Sequence, residues 1–340
     1  MKAPPKCFRR ITSDNMNFIK KHPILSMSLL LPLVFLACLS CGAVFINPFS
    51  GISDPSMKLI LQLRIYRLIS AFTVGGALAV SGVGYQAVLR NPLAEPFILG
   101  ISGGASLGAA SAIASGVAAL SCLTLPLSSF GGAIIVLCIV LFMAKGAGIE
   151  YTNNVMLSGV IAGTVCSSLL MFIISTSGSH ELNSITWWML GSLQPRDPQL
   201  LSAVAVITLA GTLILFIYGR DTNLISMGEE MAYYLGAAPL RLIILILGIA
   251  SLMAASAVAL SGIIGFVGLI VPHTLRRLFG PDHRRLFPLS LLCGGMFLMI
   301  CDTIAKSIFI PQEIPVGIIT SFIGGPFFLY ILNKRRKSVL

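Results

Sequence analysis

Residues 64–108 read RIYRLISAFTVGGALAVSGVGYQAVLRNPLAEPFILGISGGASLG. No charged side chain appears between Arg67 and Arg90. A helix that crosses a bilayer needs about 20 apolar residues, so this stretch predicts a membrane span over 64–89. Asn91-Pro92-Leu93-Ala94-Glu95-Pro96 then breaks the helix, because proline lacks the donor that a continuing helix requires. A second apolar stretch follows over 96–114. Glu95, set between the two prolines, reads as a cap for backbone donors at the start of the next helix.

The rest of the chain has the same character. Of 340 residues, 56% are hydrophobic and 10% charged, with mean hydropathy +0.93. Soluble domains carry about 25% charged residues. A water-soluble fold could not hide this much apolar surface, because roughly half of any folded surface still faces water. The reading is an all-α integral membrane protein. The net charge of +11 does not point to nucleic acid, since no basic run is interleaved with aromatics on a polar face. Lys2, Lys6, Arg9, Arg10, Lys20 and Lys21 precede the first apolar run, and Lys334, Arg335, Arg336 and Lys337 follow the last. Arg276, Arg277, Arg284 and Arg285 share one polar loop. Basic flanks of this kind mark cytoplasmic segments.

The expected spans are 24–46, 64–89, 96–114, 118–144, 154–176, 199–218, 240–261, 263–277, 287–307 and 316–333. The eighth is short and Gly-rich and reads as a half-helix. Residues 1–23 and 334–340 are read as cytoplasmic tails around a ten-helix transmembrane domain over 24–333. With both termini cytoplasmic, only Lys58, Arg64, Arg67, Arg196 and Lys306 of the 23 Lys and Arg lie outside. The eight cysteines lie mostly in apolar runs, as small hydrophobes. One echo suggests an inverted repeat. Ala77, Ala79, Ser81, Gly82, Leu89, Pro92 and Gly100 recur 180 residues later as Ala257, Ala259, Ser261, Gly262, Leu269, Pro272 and Gly280.

The chain carries no evident energy source. A phosphate-binding loop needs Gly-Lys, and neither Gly-Lys nor Asp-Lys occurs. No cofactor, metal site or catalytic residue is expected. His22, His180, His273 and His283 show no ligand spacing, and His273, after Pro272, reads as a cap. Glu95 and Asp302 are the candidate intramembrane carboxylates for an ion-driven carrier. Asp302 also has a structural partner four residues on, Lys306.

Specific motifs go further. Residues 64–108, 188–193 (WMLGSL), 261–285 (SGIIGFVGLIVPHTLRRLFGPDHRR) and 313–330 (EIPVGIITSFIGGPFFLY), in that order, resemble the FecCD family of ABC permeases. The resemblance covers residue 24 to the C-terminus. The family imports iron–siderophore complexes, haem and vitamin B12. The resemblance implies a vitamin-B12-permease-like bundle of about ten helices in a bacterial cytoplasmic membrane. It further implies a second permease subunit (a homodimer), two separate ATPases and an extracytoplasmic binding protein. Iron(III)-siderophore or a related metal chelate is the first substrate reading. Haem, vitamin B12, molybdate or tungstate is the alternative, and an ion-coupled carrier stands outside the class.

The resemblance also assigns residues. Glu229, Glu230, Ala232, Leu235 and Gly236 match the segment that couples ABC permeases to their ATPases; the plain reading is a solvated turn. Arg64 and Arg67 match arginines that meet acidic residues of the docked binding protein. Lys306 matches a third such position, often Arg in the family. Together they are expected to project as a basic ring. Gly82, Gly84, Gly159, Gly163, Gly265 and Gly268 are expected at close helix contacts along the path, because lipid supplies no hydrophobic drive between helices.

Overall fold

The computed structural model describes residues 21–42, 55–144, 151–194, 197–310 and 312–336. Most of both expected tails, residues 1–20 and 337–340, lies outside the described residues, as do residues 43–46 of the first expected span and Arg196. Among the described residues there are thirteen α-helices, two short 3-10 turns and no strand.

α1 (Pro23–Ser40) starts at a proline and ends where Cys41 turns extended. α2 (Pro55–Val88) has 34 residues, about 51 Å at 1.5 Å per residue. It begins nine residues before the expected boundary and exceeds the roughly 30 Å of a bilayer core. After the proline turn and a 3-10 turn at Pro96–Leu99, α3 (Ile101–Ala114) starts at Gly100. α4 (Thr124–Met143) and α5 (Tyr151–Thr176) follow. α6 (Ser179–Met189) was not expected from the sequence. α7 (Pro198–Ile217) starts on an Asp197 carboxylate that accepts from Gln199 N–H. The predicted loop over 219–239 contains two short helices, α8 (Gly219–Met227) and α9 (Glu229–Tyr234). α10 (Pro239–Ser261), α11 (Val267–Phe279), α12 (His283–Ala305) and α13 (Val316–Arg336) complete the chain.

Among the described residues, seven helices are long and apolar enough to cross a membrane: α1, α2, α4, α5, α7, α10 and α12. α3 and α13 supply shorter apolar stretches. α11, with 13 residues, is the expected half-helix, about 20 Å long. These ten correspond one to one with the expected spans.

α2 is the axis of the bundle. It is largely buried and packs on α10, α11 and α12. Its small residues make this possible. A Cβ on Gly82 would overlap the Gly268 carbonyl oxygen in α11, and one on Gly75 would overlap that of Gly294 in α12. Buried hydroxyls add direction: Ser81 Oγ donates to Ala250 O at 2.8 Å, and Tyr85 Oη and Ser251 Oγ share a hydrogen bond.

Two expectations change here. The 180-residue echo is not a structural equivalence. Gly82 lies inside α2 whereas Gly262 ends α10, and Pro92 sits in a turn whereas Pro272 lies inside α11. Glu95 makes no capping bond at its own 3-10 turn. Its carboxyl group is instead placed toward the backbone of Phe266, the residue before α11. Phe266 has φ 68°, costly for an aromatic residue.

Candidate functional site

Two polar constellations sit at opposite ends of the bundle, joined by α12. From His283 to Asp302 that helix rises about 28 Å.

The first is built on α8 and α9. Gly228, with φ 124°, separates them in a conformation that side-chain-bearing residues rarely adopt. α9 then ends in a glycine cap: Gly236 N–H bonds Tyr233 O, and Ala237 N–H bonds Ala232 O. This paired arrangement closes a helix through a left-handed residue, and Gly236 has φ 84°. Nothing lies within 4 Å of a Cβ added there, so conformation alone demands glycine.

The five residues expected on this segment separate by exposure. Ala232 is fully buried and anchors the knob without presenting a surface. Glu229 accepts a hydrogen bond from Thr152 Oγ1 of α5. Glu230 and Leu235 are exposed. Sequence reading missed the strongest surface feature: Met227, Met231, Tyr233 and Tyr234 are exposed beside them, Tyr234 at 83%. Exposed aromatics inside a polar inter-span loop were the available signal. A cleft of about 430 Å³ lies between this segment and Arg90.

Asn223 of α8 joins the segment to the start of α12. Its Nδ2 donates to Asp282 Oδ1 at 2.9 Å, and its Oδ1 accepts from His283 N–H at 3.0 Å. His283 Nδ1 lies 2.6 Å from the same oxygen. A carboxylate only accepts, so the amide orientation is fixed, and His283 must carry its proton on Nδ1. Asp282 also caps Arg284 N–H. Burial pushes the Asp282 carboxyl up. The Asn223 and Arg284 hydrogen bonds and the Arg285 and Arg284 charges outweigh burial and hold it below the usual range.

The second constellation corrects an expectation. Arg67 and Lys306 do not project as a basic ring. Arg67 grips the fully buried Asp302 through Nε and Nη2, with bonds of 2.9 Å, and reaches the half-exposed Glu313 through Nη1 at 2.8 Å. Lys306 Nζ turns inward to Asp302 at 3.5 Å and is 7% exposed. Two cations and two carboxylates give a neutral cluster. Arg64 Nη1 donates to Leu39 O at 3.0 Å, tying α2 to the end of α1. The i,i+4 pairing of Asp302 with Lys306 was legible in sequence, but its main partner, Arg67, was not.

Beside this cluster lies a cavity of about 780 Å³ lined in part by Arg67, Asp302, Glu313, Trp187, Trp188 and Gln194. Three of the sequence motifs meet beside it. Ser192 N–H bonds Ser261 O at 2.7 Å, and Gly317 packs against Leu190 O. A third hollow, about 540 Å³, runs between α3 and α5. Gly159 belongs to it, and a Cβ there would lie 2.7 Å from Ile98 O. Gly163 faces Gly100 more loosely, at 3.5 Å. Gly84 packs on Ile246, whereas a Cβ added at Gly265 would meet nothing within 4 Å, so no close approach there demands glycine. On the same α5, Asn153, Thr164, Ser167, Ser168 and Ser175 are exposed. The Thr164, Ser167, Ser168 and Ser175 hydroxyls bond their own helix, so α5 shows polar groups without leaving them unsatisfied.

The comparisons agree with this architecture. The FecCD transport family matches residues 29–334. The chain is 38% identical over 290 residues to the cobalamin import system permease protein BtuC of Halobacterium salinarum, covering 85% of this chain and 77% of that protein. It is 34% identical over 292 residues to the hemin transport system permease protein HmuU of Yersinia pestis, covering 84% and 86%. A chain from an inward-facing metal-chelate type ABC transporter superposes with TM-score 0.84 at 30% identity, covering 92% of this chain and 99% of that one. The match to the family runs through every motif that builds the two constellations, and the chain belongs to the FecCD transport family: it is a multi-pass membrane permease of an ABC importer, not an enzyme.

Proposed function

We propose that this permease conducts a metal chelate of the iron–siderophore, haem or cobalamin class, and that it is driven by an ATPase docked on α8 and α9. The observation that carries the coupling reading is the glycine-capped knob, whose exposed Met231, Tyr233, Tyr234 and Leu235 offer a partner an apolar, aromatic surface of the kind enriched at interfaces. The relatives are named for cobalamin and hemin, which puts tetrapyrrole chelates beside the siderophore that sequence reading favoured. In this reading the knob, both termini and the basic flanks face the cytoplasm of a bacterial cell. The Arg67 end faces outward, and a second copy completes the path along the polar face of α5. An extracytoplasmic binding protein docks near Arg64 and the Arg67–Glu313 pair. Glu230 meets the ATPase, and Gly82, Gly84, Gly159, Gly163 and Gly268 hold the helices that frame the path.

Gly236→Val tests the coupling. A non-glycine residue in the left-handed region costs about 1–2 kcal/mol, and a β-branched one more. The variant is expected to insert and dimerise normally, yet co-purify roughly tenfold less ATPase or lose uptake per ATP hydrolysed. Glu230→Lys is expected to act in the same direction by reversing a contact charge. Both variants are assayed for ATPase co-purification and for uptake of ferric siderophore, haemin and cobalamin in proteoliposomes. Normal coupling in both places the ATPase elsewhere, with the 278–287 loop the next candidate. Uptake of none of the three chelates by the wild-type complex, each supplied with a binding protein that binds it, contradicts the substrate reading.

A further inference from the structure

We infer that Asn223 is a mechanical joint that locks the coupling segment to α12, so that displacement of α8 and α9 is delivered across the membrane to the Asp302 cluster. The inference builds on the coupling reading above and adds a route for the motion.

The chain itself offers an obvious route, from α9 directly into α10, but the geometry there is a pivot. The two helices are separated by Leu235, Gly236, Ala237 and Ala238, with Gly236 at φ 84° and open space where a Cβ would stand. The hydrogen bonds of the glycine cap end at Ala237, and rotation beyond them can absorb a push on α9. The contact between α8 and α12 is different in kind. One amide holds both the N-cap residue of α12 and its first residue, with its two ends in fixed roles. Around it the packing is closed: Thr222, Ile225, Leu286 and Phe287 are buried to 1% exposure or less. At the start of α8, a Cβ on Gly219 would lie 2.8 Å from Arg284 Cγ. Hydrogen bonds are directional, so α8 and the first turn of α12 move as one piece.

From that joint α12 runs as one helix from His283 to Ala305, with Pro288 in its second turn removing one backbone hydrogen bond. Its other end is fixed by Asp302 to Arg67 of α2 and, through Arg67, to Glu313 before α13. Glu313 and Asp302 both line the 780 Å³ cavity. A helix anchored by polar contacts at both ends and packed against α2 between them can carry a rigid-body shift. Conformational changes in packed proteins commonly take this form, by small sliding movements of helices.

The test uses the complete complex of permease, ATPase and binding protein in proteoliposomes. Asn223→Ala removes the joint and leaves the exposed surface of α9 untouched. It is expected to retain ATPase co-purification and ATP hydrolysis within about twofold, while chelate taken up per ATP falls about tenfold. The exchange Asn223→Asp with Asp282→Asn again sets an amide donor against a carboxylate; because Asp282 Oδ1 serves both Asn223 and Arg284 N–H, the new amide must turn to divide the two bonds between its Nδ2 and Oδ1, and Asn remains a good N-cap. It is expected to recover uptake per ATP, whereas Asn223→Asp alone, which sets two carboxylates together, is not. Unchanged uptake per ATP in Asn223→Ala overturns the joint. Equal losses of ATPase association and uptake overturn it too, since Asn223 would then only shape the docking surface. Failure of Tyr234→Cys to crosslink to the ATPase in an otherwise unaltered permease is a failure of the coupling reading itself and is distinct from both.

Discussion

Replacing Asp302 with Ala is expected to destabilise the protein by about 3–5 kcal/mol, the usual cost of removing one partner from a buried ion pair. Asp302 is fully buried and receives both Arg67 and Lys306. Without it, two cations remain in a desolvated site at the end of α12. Glu313 cannot take over, because it meets a single arm of Arg67 and is 45% exposed. The loss should appear as a large drop in the thermal midpoint of the detergent-solubilised protein and as poor accumulation in membranes. Asp302→Ala combined with Arg67→Met and Lys306→Met is expected to recover most of the stability, since apolar replacement of a whole buried cluster is often neutral or better. Glu313→Gln should cost at most about 1 kcal/mol, as partly exposed pairs do. A loss below about 1 kcal/mol for Asp302→Ala would mean that the cluster is hydrated rather than buried. The same geometry changes how docking is tested. Reversing Arg67 to Glu would disrupt the fold, so Arg64→Glu is the informative variant. Slower capture of the loaded binding protein at low ionic strength supports docking there, and an unchanged rate opposes it.

Gly82→Val is expected to have the second large effect. A Cβ at this position meets the Gly268 carbonyl and its backbone on α11, and no side-chain rotation relieves a backbone clash. Overpacking of this kind typically costs 1–3 kcal/mol, occasionally more. Here the only relief is to move α11 away from α2. That shift would also disturb Glu95 and Phe266, which sit where the proline turn meets the start of α11. Transport should fall together with stability. Gly248→Ala is the control, because nothing lies within 4 Å of a Cβ there, and it should be tolerated. Thermal stability and uptake are measured for both variants. Equal tolerance would show that α2 and α11 do not approach as closely as described.

The contrast between these sites explains what could be read from sequence. Spans are set by local hydropathy, so the run after Arg67, the break at Asn91–Pro96 and the short span before the Arg276–Arg277 pair were all legible. Gly236 was legible too, because the family resemblance places it at the end of a short helix, where glycine readily takes the left-handed conformation. The partner of Arg67 was not, since Asp302 lies 235 positions away and no local pattern specifies which of several ionisable residues will meet. Arg67 looked like a surface cation because it opens an apolar run near a membrane boundary. α6 was missed because Ser179–Met189 is too short and too polar for a span. Asn223 carries no charge and no motif, and its role emerges only when α8 folds against Asp282 and His283. Gly265 was grouped with the packing glycines because neighbouring Gly268 is one, but proximity in a motif does not place two residues on the same contact.

The most direct measurement of the central claim is ATP-driven chelate accumulation in proteoliposomes holding this chain, its ATPase and its binding protein. The account predicts saturable uptake that requires all three components and ATP, with two copies of permease and two of ATPase in the purified complex. The permease alone should neither hydrolyse ATP nor accumulate chelate. Uptake by the permease alone that collapses on adding a protonophore would contradict it and identify an ion-driven carrier.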